Sequence, residues 1–67
     1  MNTKQQHVMR VTYVRHSTAA VLVELDDEDY WLPLSRIEMQ DHCDDLSRGD
    51  EIEIEVPDWL AVEKGMV

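Results

Sequence analysis

The residues equipped for chemistry fall into a few groups. Asp41-His42-Cys43-Asp44-Asp45 is the one run that joins imidazole, thiol and carboxylate. Zinc takes such ligands, but structural zinc sites usually space them by two or more residues and need a second pair. Only His7 and His16 remain to supply that pair, so the run reads as a solvated loop with an incidental thiol, and no metal ligand is assigned. Asp26-Asp27-Glu28-Asp29 sets four carboxylates in a row. The alternating oxygen ligands, central glycine and distal glutamate of a calcium loop are missing, and the run reads as an acidic hairpin tip. His16 beside Ser17 and His42 beside Cys43 are the raw parts of a nucleophile and its base. Strand neighbours point to opposite faces, so adjacency argues against contact. With only Gly49 and Gly65 there is no phosphate-cradling loop. No catalytic residue and no cofactor is assigned, and the chain is expected not to be an enzyme.

Two further groups suit binding. Glu51, Glu53 and Glu55 alternate with Ile52, Ile54 and Val56. On a strand these carboxylates project from one face about 6.6–6.8 Å apart, twice the rise per residue, near the phosphate repeat along one DNA strand. The ladder is either an ordinary solvated strand face or an imitation of a nucleic-acid backbone aimed at a basic groove. Tyr13, Tyr30, Trp31 and Trp59 supply rings and Arg10, Arg15 and Arg36 supply cations, the ingredients of a single-strand platform. The plainer expectation is that Trp31 and Trp59 anchor a core that lacks phenylalanine; the other is a contact patch of Tyr30, Trp31, Arg36 and Trp59.

Short extended segments must hold these groups. Residues 7–15 are β-branched, aromatic or apolar in rough alternation, which predicts a first strand. His16-Ser17-Thr18 breaks it, and 19–25 predicts a second strand, antiparallel because the connection is short. The four carboxylates then form a turn, and Tyr30-Trp31-Leu32 resumes as a third strand that Pro33 either ends or marks as an edge. Leu34 to Met39 fits a helical turn or an irregular strand, and 40–50 is polar with a turn at Arg48-Gly49. The strict alternation over 51–56 is the clearest strand. After Pro57, Asp58 is expected to cap a short helix that docks through Trp59, Val62 and Met66, with Lys64 near its end and Gly65 in the left-handed cap position. The predicted architecture is mostly β: a small antiparallel sheet curled into an SH3-like or OB-like barrel with a short C-terminal helix, or else a two-layer sheet with that helix across one face. Residues 1–6 are expected to be a disordered N-terminal tail and 7–67 a single domain.

Composition narrows the partners. Fifteen acidic residues against six basic ones give a formal charge of −9 over 67 residues, which opposes nucleic-acid phosphates and anionic lipid. The acidity either keeps a small domain soluble or is itself the ligand for a basic protein surface. A chain of this length folds with little core to spare, and one cysteine allows no internal disulfide. The lone thiol fits a reducing cytoplasm. No apolar run approaches the ~20 residues of a membrane span and no hydrophobic segment follows the polar start, so neither export by a signal peptide nor membrane insertion is expected.

Trp31-Leu32-Pro33, Ser35, Ile37-Glu38, Gly49-Asp50, Glu53-Ile54-Glu55-Val56-Pro57, Trp59-Leu60-Ala61 and Glu63-Lys64-Gly65 together resemble a family of short, largely uncharacterised proteins of bacteriophages and integrated mobile elements. Its pattern is WLPxSxIE, a variable polar stretch, then GDxxEIEVPxWLAxEKG. Members often carry a basic residue directly after the proline, where this chain has Leu34 and the nearest charge is Arg36. The resemblance implies a mobile-element origin and an accessory role in phage replication or counter-defence. It implies no catalytic residue and no cofactor.

The expected function is a non-enzymatic binding module that docks on a protein with a basic surface through Asp26, Asp27, Glu28, Asp29, Glu51, Glu53 and Glu55, with Tyr30, Trp31, Arg36 and Trp59 as a candidate aromatic and basic patch. The alternatives are an OB-like module for single-stranded nucleic acid and a homodimer paired through a strand edge.

Overall fold

The computed structural model describes residues 6–67. Five strands and one helix follow in chain order: β1 (Gln6–His16), β2 (Ala20–Leu25), β3 (Glu28–Pro33), β4 (Glu38–Met39), β5 (Glu51–Pro57) and α1 (Asp58–Lys64). The strands form a single antiparallel sheet in the order β3-β2-β1-β5-β4. Of the expected N-terminal tail, residues 1–5 lie outside the described residues, and Gln6 opens β1.

The alternation over 51–56 sets the architecture. Ile52, Ile54 and Val56 are 4%, 1% and 0% exposed, while Glu51 and Glu53 stand in solvent and Glu55 is half-buried. On the same side β1 contributes Val11 and Tyr13, β2 Val21 and Val23, and β3 Leu32. Leu60 and Ala61 of α1 close over this apolar face, and Ile37 seals it from the loop side. The sheet is therefore covered on one face and open on the other, the usual way an antiparallel sheet divides apolar from polar residues.

The sheet is not closed into a barrel: β3 and β4 are its two edges. It is nonetheless strongly curled. Flat, five strands would hold the edges about 19 Å apart, at ~4.8 Å per step. The chain from Pro33 to Glu38 crosses five Cα–Cα intervals, at most about 18 Å extended, and Leu34–Arg36 within it is a contracted 3-10 turn. Only a sheet bent toward its own edges lets that connection reach. The segment 34–39 thus contains both elements considered for it, the helical turn and then a two-residue strand.

Local chemistry fixes the ends. Asp26 and Asp27 carry φ of 54° and 69°, the positive values that a two-residue hairpin turn needs at both central positions. The acidic tip is therefore those two residues, and Glu28 and Asp29 already belong to β3. Gly65 ends α1 at φ 76°, where the Met66 amide donates to the Ala61 carbonyl at 2.8 Å. The expected cap at Asp58 is not made, because Pro57 occupies the cap position. The Asp58 carboxylate instead accepts from His7 Nε2 at 2.7 Å, tying the start of α1 to β1. Leu60 and Ala61 face inward, while Trp59 and Val62 stay at 55% and 58% exposure, which corrects the expected docking stripe. Of its three residues only Met66 packs against the core.

Candidate functional site

Cross-strand register assembles the uncovered face. Trp31, Leu22 and Arg15 form one row across β3, β2 and β1. Asp29, Glu24, Thr12 and Glu51 form the next, running on to β5. Arg10 then faces Glu53, and Val8, Glu55 and Glu38 make the last row, reaching β4. Six carboxylates (Glu24, Asp29, Glu38, Glu51, Glu53, Glu55) thus share the face with two guanidinium groups. Arg10 lies 3.9 Å from Glu51, and Arg15 stacks over the Trp31 ring at 5.5 Å.

Two of the cross-strand pairs set like charges directly opposite: Glu24 against Asp29 and Glu55 against Glu38. Such pairs destabilise a sheet, where an opposite-charge or Thr pair would stabilise it. Folding alone gives no reason for them. At the other end of the face Leu22 is 9% exposed although it points away from the main core. The neighbouring Trp31 is 40% exposed. This row ends the acidic field on an apolar and cationic corner.

The expected aromatic and basic patch does not gather. Tyr30 and Trp31 are adjacent on β3 and take opposite faces, Tyr30 packing against the core. Arg36 is exposed on the 3-10 turn, and Trp31 takes Arg15 as its cation partner. Trp59 stands exposed on α1, which packs on the covered face. Neither tryptophan is a core anchor. The core is filled instead by ten smaller side chains and Tyr13, which removes the demand for a large ring.

A second constellation lies where β1 ends. Tyr13 pairs with Val23 but Arg15 pairs with Leu22, so Val14 is the extra residue of a bulge. The bulge restores Tyr13 and His16 to one face, although they are three apart. Tyr13 Oη lies 2.6 Å from His16 Nδ1, and His16 Nε2 lies 3.6 Å from Asp44 Oδ1. With the hydroxyl donating to Nδ1, the ring proton faces Asp44. The backbone locks the same place: the Tyr13 amide donates to the Asp50 carbonyl and the Gly49 amide to the Tyr13 carbonyl, each at 2.8 Å.

His16 also lines an open pocket of about 610 Å³ together with Leu34, Ile37, Met39, His42 and Cys43. Cys43 is half-buried against the core rather than an incidental surface thiol. Burial and then the Asp44 charge push its pKa up. Tyr13 is raised by burial first, then by Cys43 and Asp44. Among the described residues no three His, Cys, Asp or Glu side chains converge as metal ligands would. Adjacency did not reveal this constellation, because the Val14 bulge carries no glycine or proline that would announce it.

No protein-family model matches the chain, and no significant match is found among curated proteins or solved structures. Among the described residues no helix is long and apolar enough to cross a membrane. What stands defined is a mostly β fold, a five-stranded antiparallel sheet with one C-terminal helix, bearing an uncovered acidic face.

Proposed function

We propose that the chain is a non-enzymatic binding module whose uncovered acidic face docks on the basic surface of a protein. One observation carries this reading: the face opposes carboxylate to carboxylate twice, at Glu24–Asp29 and Glu55–Glu38. A basic partner would turn that self-repulsion into attraction, so the partner is the element that completes the surface. The Arg15–Trp31–Leu22 corner supplies the apolar and aromatic anchor that binding energy usually needs, since rim charges mainly set rate and specificity.

The curl of the sheet supports reading the architecture as an opened SH3-like or OB-like barrel. The residue pattern supports a phage or mobile-element accessory protein of the cytoplasm, acting on a nucleic-acid-handling or defence protein as a mimic of the nucleic-acid backbone. The exposed Trp31 stacked on Arg15 favours a second reading, an OB-like module for single-stranded nucleic acid, against which six carboxylates on one face weigh heavily. Homodimer formation through the free β3 edge is opposed by Glu28 and Asp29 on that edge.

The test is capture of partners from cell lysate at low and high salt, beside a Glu51→Lys/Glu53→Lys/Glu55→Lys variant. A partner held by the parent chain at low salt, and released by salt or by charge reversal, supports the reading. Equal retention by both chains, or no retention, refutes it. Quenching of tryptophan fluorescence by a labelled single strand at low salt would favour the second reading instead.

A further inference from the structure

We propose that the pocket between the end of β1 and the segment 34–44 binds an organic cation with an apolar body, such as an aryl-alkyl amine. Its volume of about 610 Å³ falls within the range of small-molecule sites, roughly 300–1,000 Å³. The pocket lies apart from the acidic face except at Glu38, so the inference does not depend on the docking reading. Leu34, Ile37 and Met39 give it an apolar floor. Asp41 and Asp44 stand around it, Glu38 borders it from the uncovered face, and among the described residues no lysine or arginine lines it. Among the described residues Glu38 and Asp41 have no cationic partner within 4 Å, and Asp44 has only His16.

The combination selects a ligand class. The carboxylates of Asp41 and Asp44 beside an apolar floor repel an anion and attract a cation that brings its own hydrophobic surface. A metal ion needs ligands that converge on one point, and these do not. An ammonium on a hydrocarbon body has no such requirement, because each carboxylate can accept separately while the body covers Ile37 and Met39. His16 is already oriented by Tyr13, so its ring is a fixed wall that needs no ordering when the ligand arrives. The Cys43 thiol stays protonated at neutral pH and is a compact, weakly polar part of the lining.

The experiment titrates the full ¹⁵N-labelled chain with 2-phenylethylamine, and in parallel with 3-phenylpropionate and 2-phenylethanol. The expected result is saturable amide shifts at Ile37, Met39 and Cys43 with the amine, weaker ones with the alcohol and none with the carboxylate. Asp41→Asn/Asp44→Asn, two exposed positions whose spectrum outside the loop serves as the folding control, is expected to weaken the amine about two- to thirtyfold, the range of two exposed charge pairs. Shifts from the carboxylate or the alcohol equal to those from the amine overturn the proposal. So does an absence of saturable shifts, or an affinity unchanged in the double variant.

Discussion

Asp29→Lys turns one of the two like-charge pairs of the sheet, Glu24 against Asp29 on the edge strand β3, into an opposite-charge pair. Side chains directly opposite on neighbouring strands have Cβ atoms about 4.5–5.5 Å apart, and each such pair shifts stability by roughly 0.2–1 kcal/mol with the sign of the charges. Removing one repulsion and adding one attraction therefore raises stability by about 0.4–2 kcal/mol. The whole domain, at roughly 0.05–0.15 kcal/mol per residue, has only about 3–10 kcal/mol in total. For a domain of this size 1 kcal/mol moves Tm by about 4–8 °C, so circular-dichroism melts at low salt resolve the change. Asp29→Asn, which removes the repulsion and adds nothing, is expected to gain about half as much. Both gains shrink in 1 M salt, where the screening length falls to about 3 Å. A lower Tm for Asp29→Lys at low salt, or a gain that salt leaves untouched, refutes the claim that the face is held against electrostatic cost.

Ile54→Ala empties the centre of the covered face, where Ile54 is 1% exposed, and is expected to cost about 2–5 kcal/mol; a denaturant titration that finds under about 1 kcal/mol contradicts the assigned core. Asp27→Gly relieves about 1–2 kcal/mol of left-handed strain against about 0.4–1 kcal/mol of added chain freedom, so its Tm rises, whereas Asp27→Val lowers it; equal melts for the two would remove the positive-φ turn. Burial and Asp44 raise the Cys43 pKa, so the folded state holds that proton longer than the unfolded chain. Its contribution is full below the unfolded value, about 8.5, and is lost as pH climbs from there through the folded value. Iodoacetamide labelling is accordingly expected to reach half-rate at higher pH in the native protein than in urea, and a lower native midpoint would contradict the packing of Cys43.

The strand at Glu51–Pro57 was legible because every second residue is branched and apolar while the others carry charge, a pattern with only one sensible burial. The first two strands were legible for the same reason, and Gly65 because a left-handed cap favours its type. The helix face was not. Trp59 and Val62 offer one apolar stripe and Leu60 and Ala61 another, and the choice between them depends on how α1 packs on strands distant in sequence, as the His7–Asp58 contact across 51 positions illustrates. The exposed tryptophans escaped because ring size suggests burial, whereas the row Trp31–Leu22–Arg15 depends on the register of three strands. The ladder at Glu51, Glu53 and Glu55 could be read along one strand. Its extension to Glu24, Asp29 and Glu38 needed the strand order, in which β5 lies beside β1 rather than at an edge. The Tyr13–His16–Asp44 array needed the Val14 bulge.

The docking claim is tested most directly by adding an unlabelled partner captured from lysate to the ¹⁵N-labelled chain and mapping which amides broaden. The expected footprint is Glu24, Asp29, Glu51, Glu53 and Glu55, with Trp31 at its margin. Broadening confined to α1 or to the 40–50 loop, with those five amides unmoved, would contradict it.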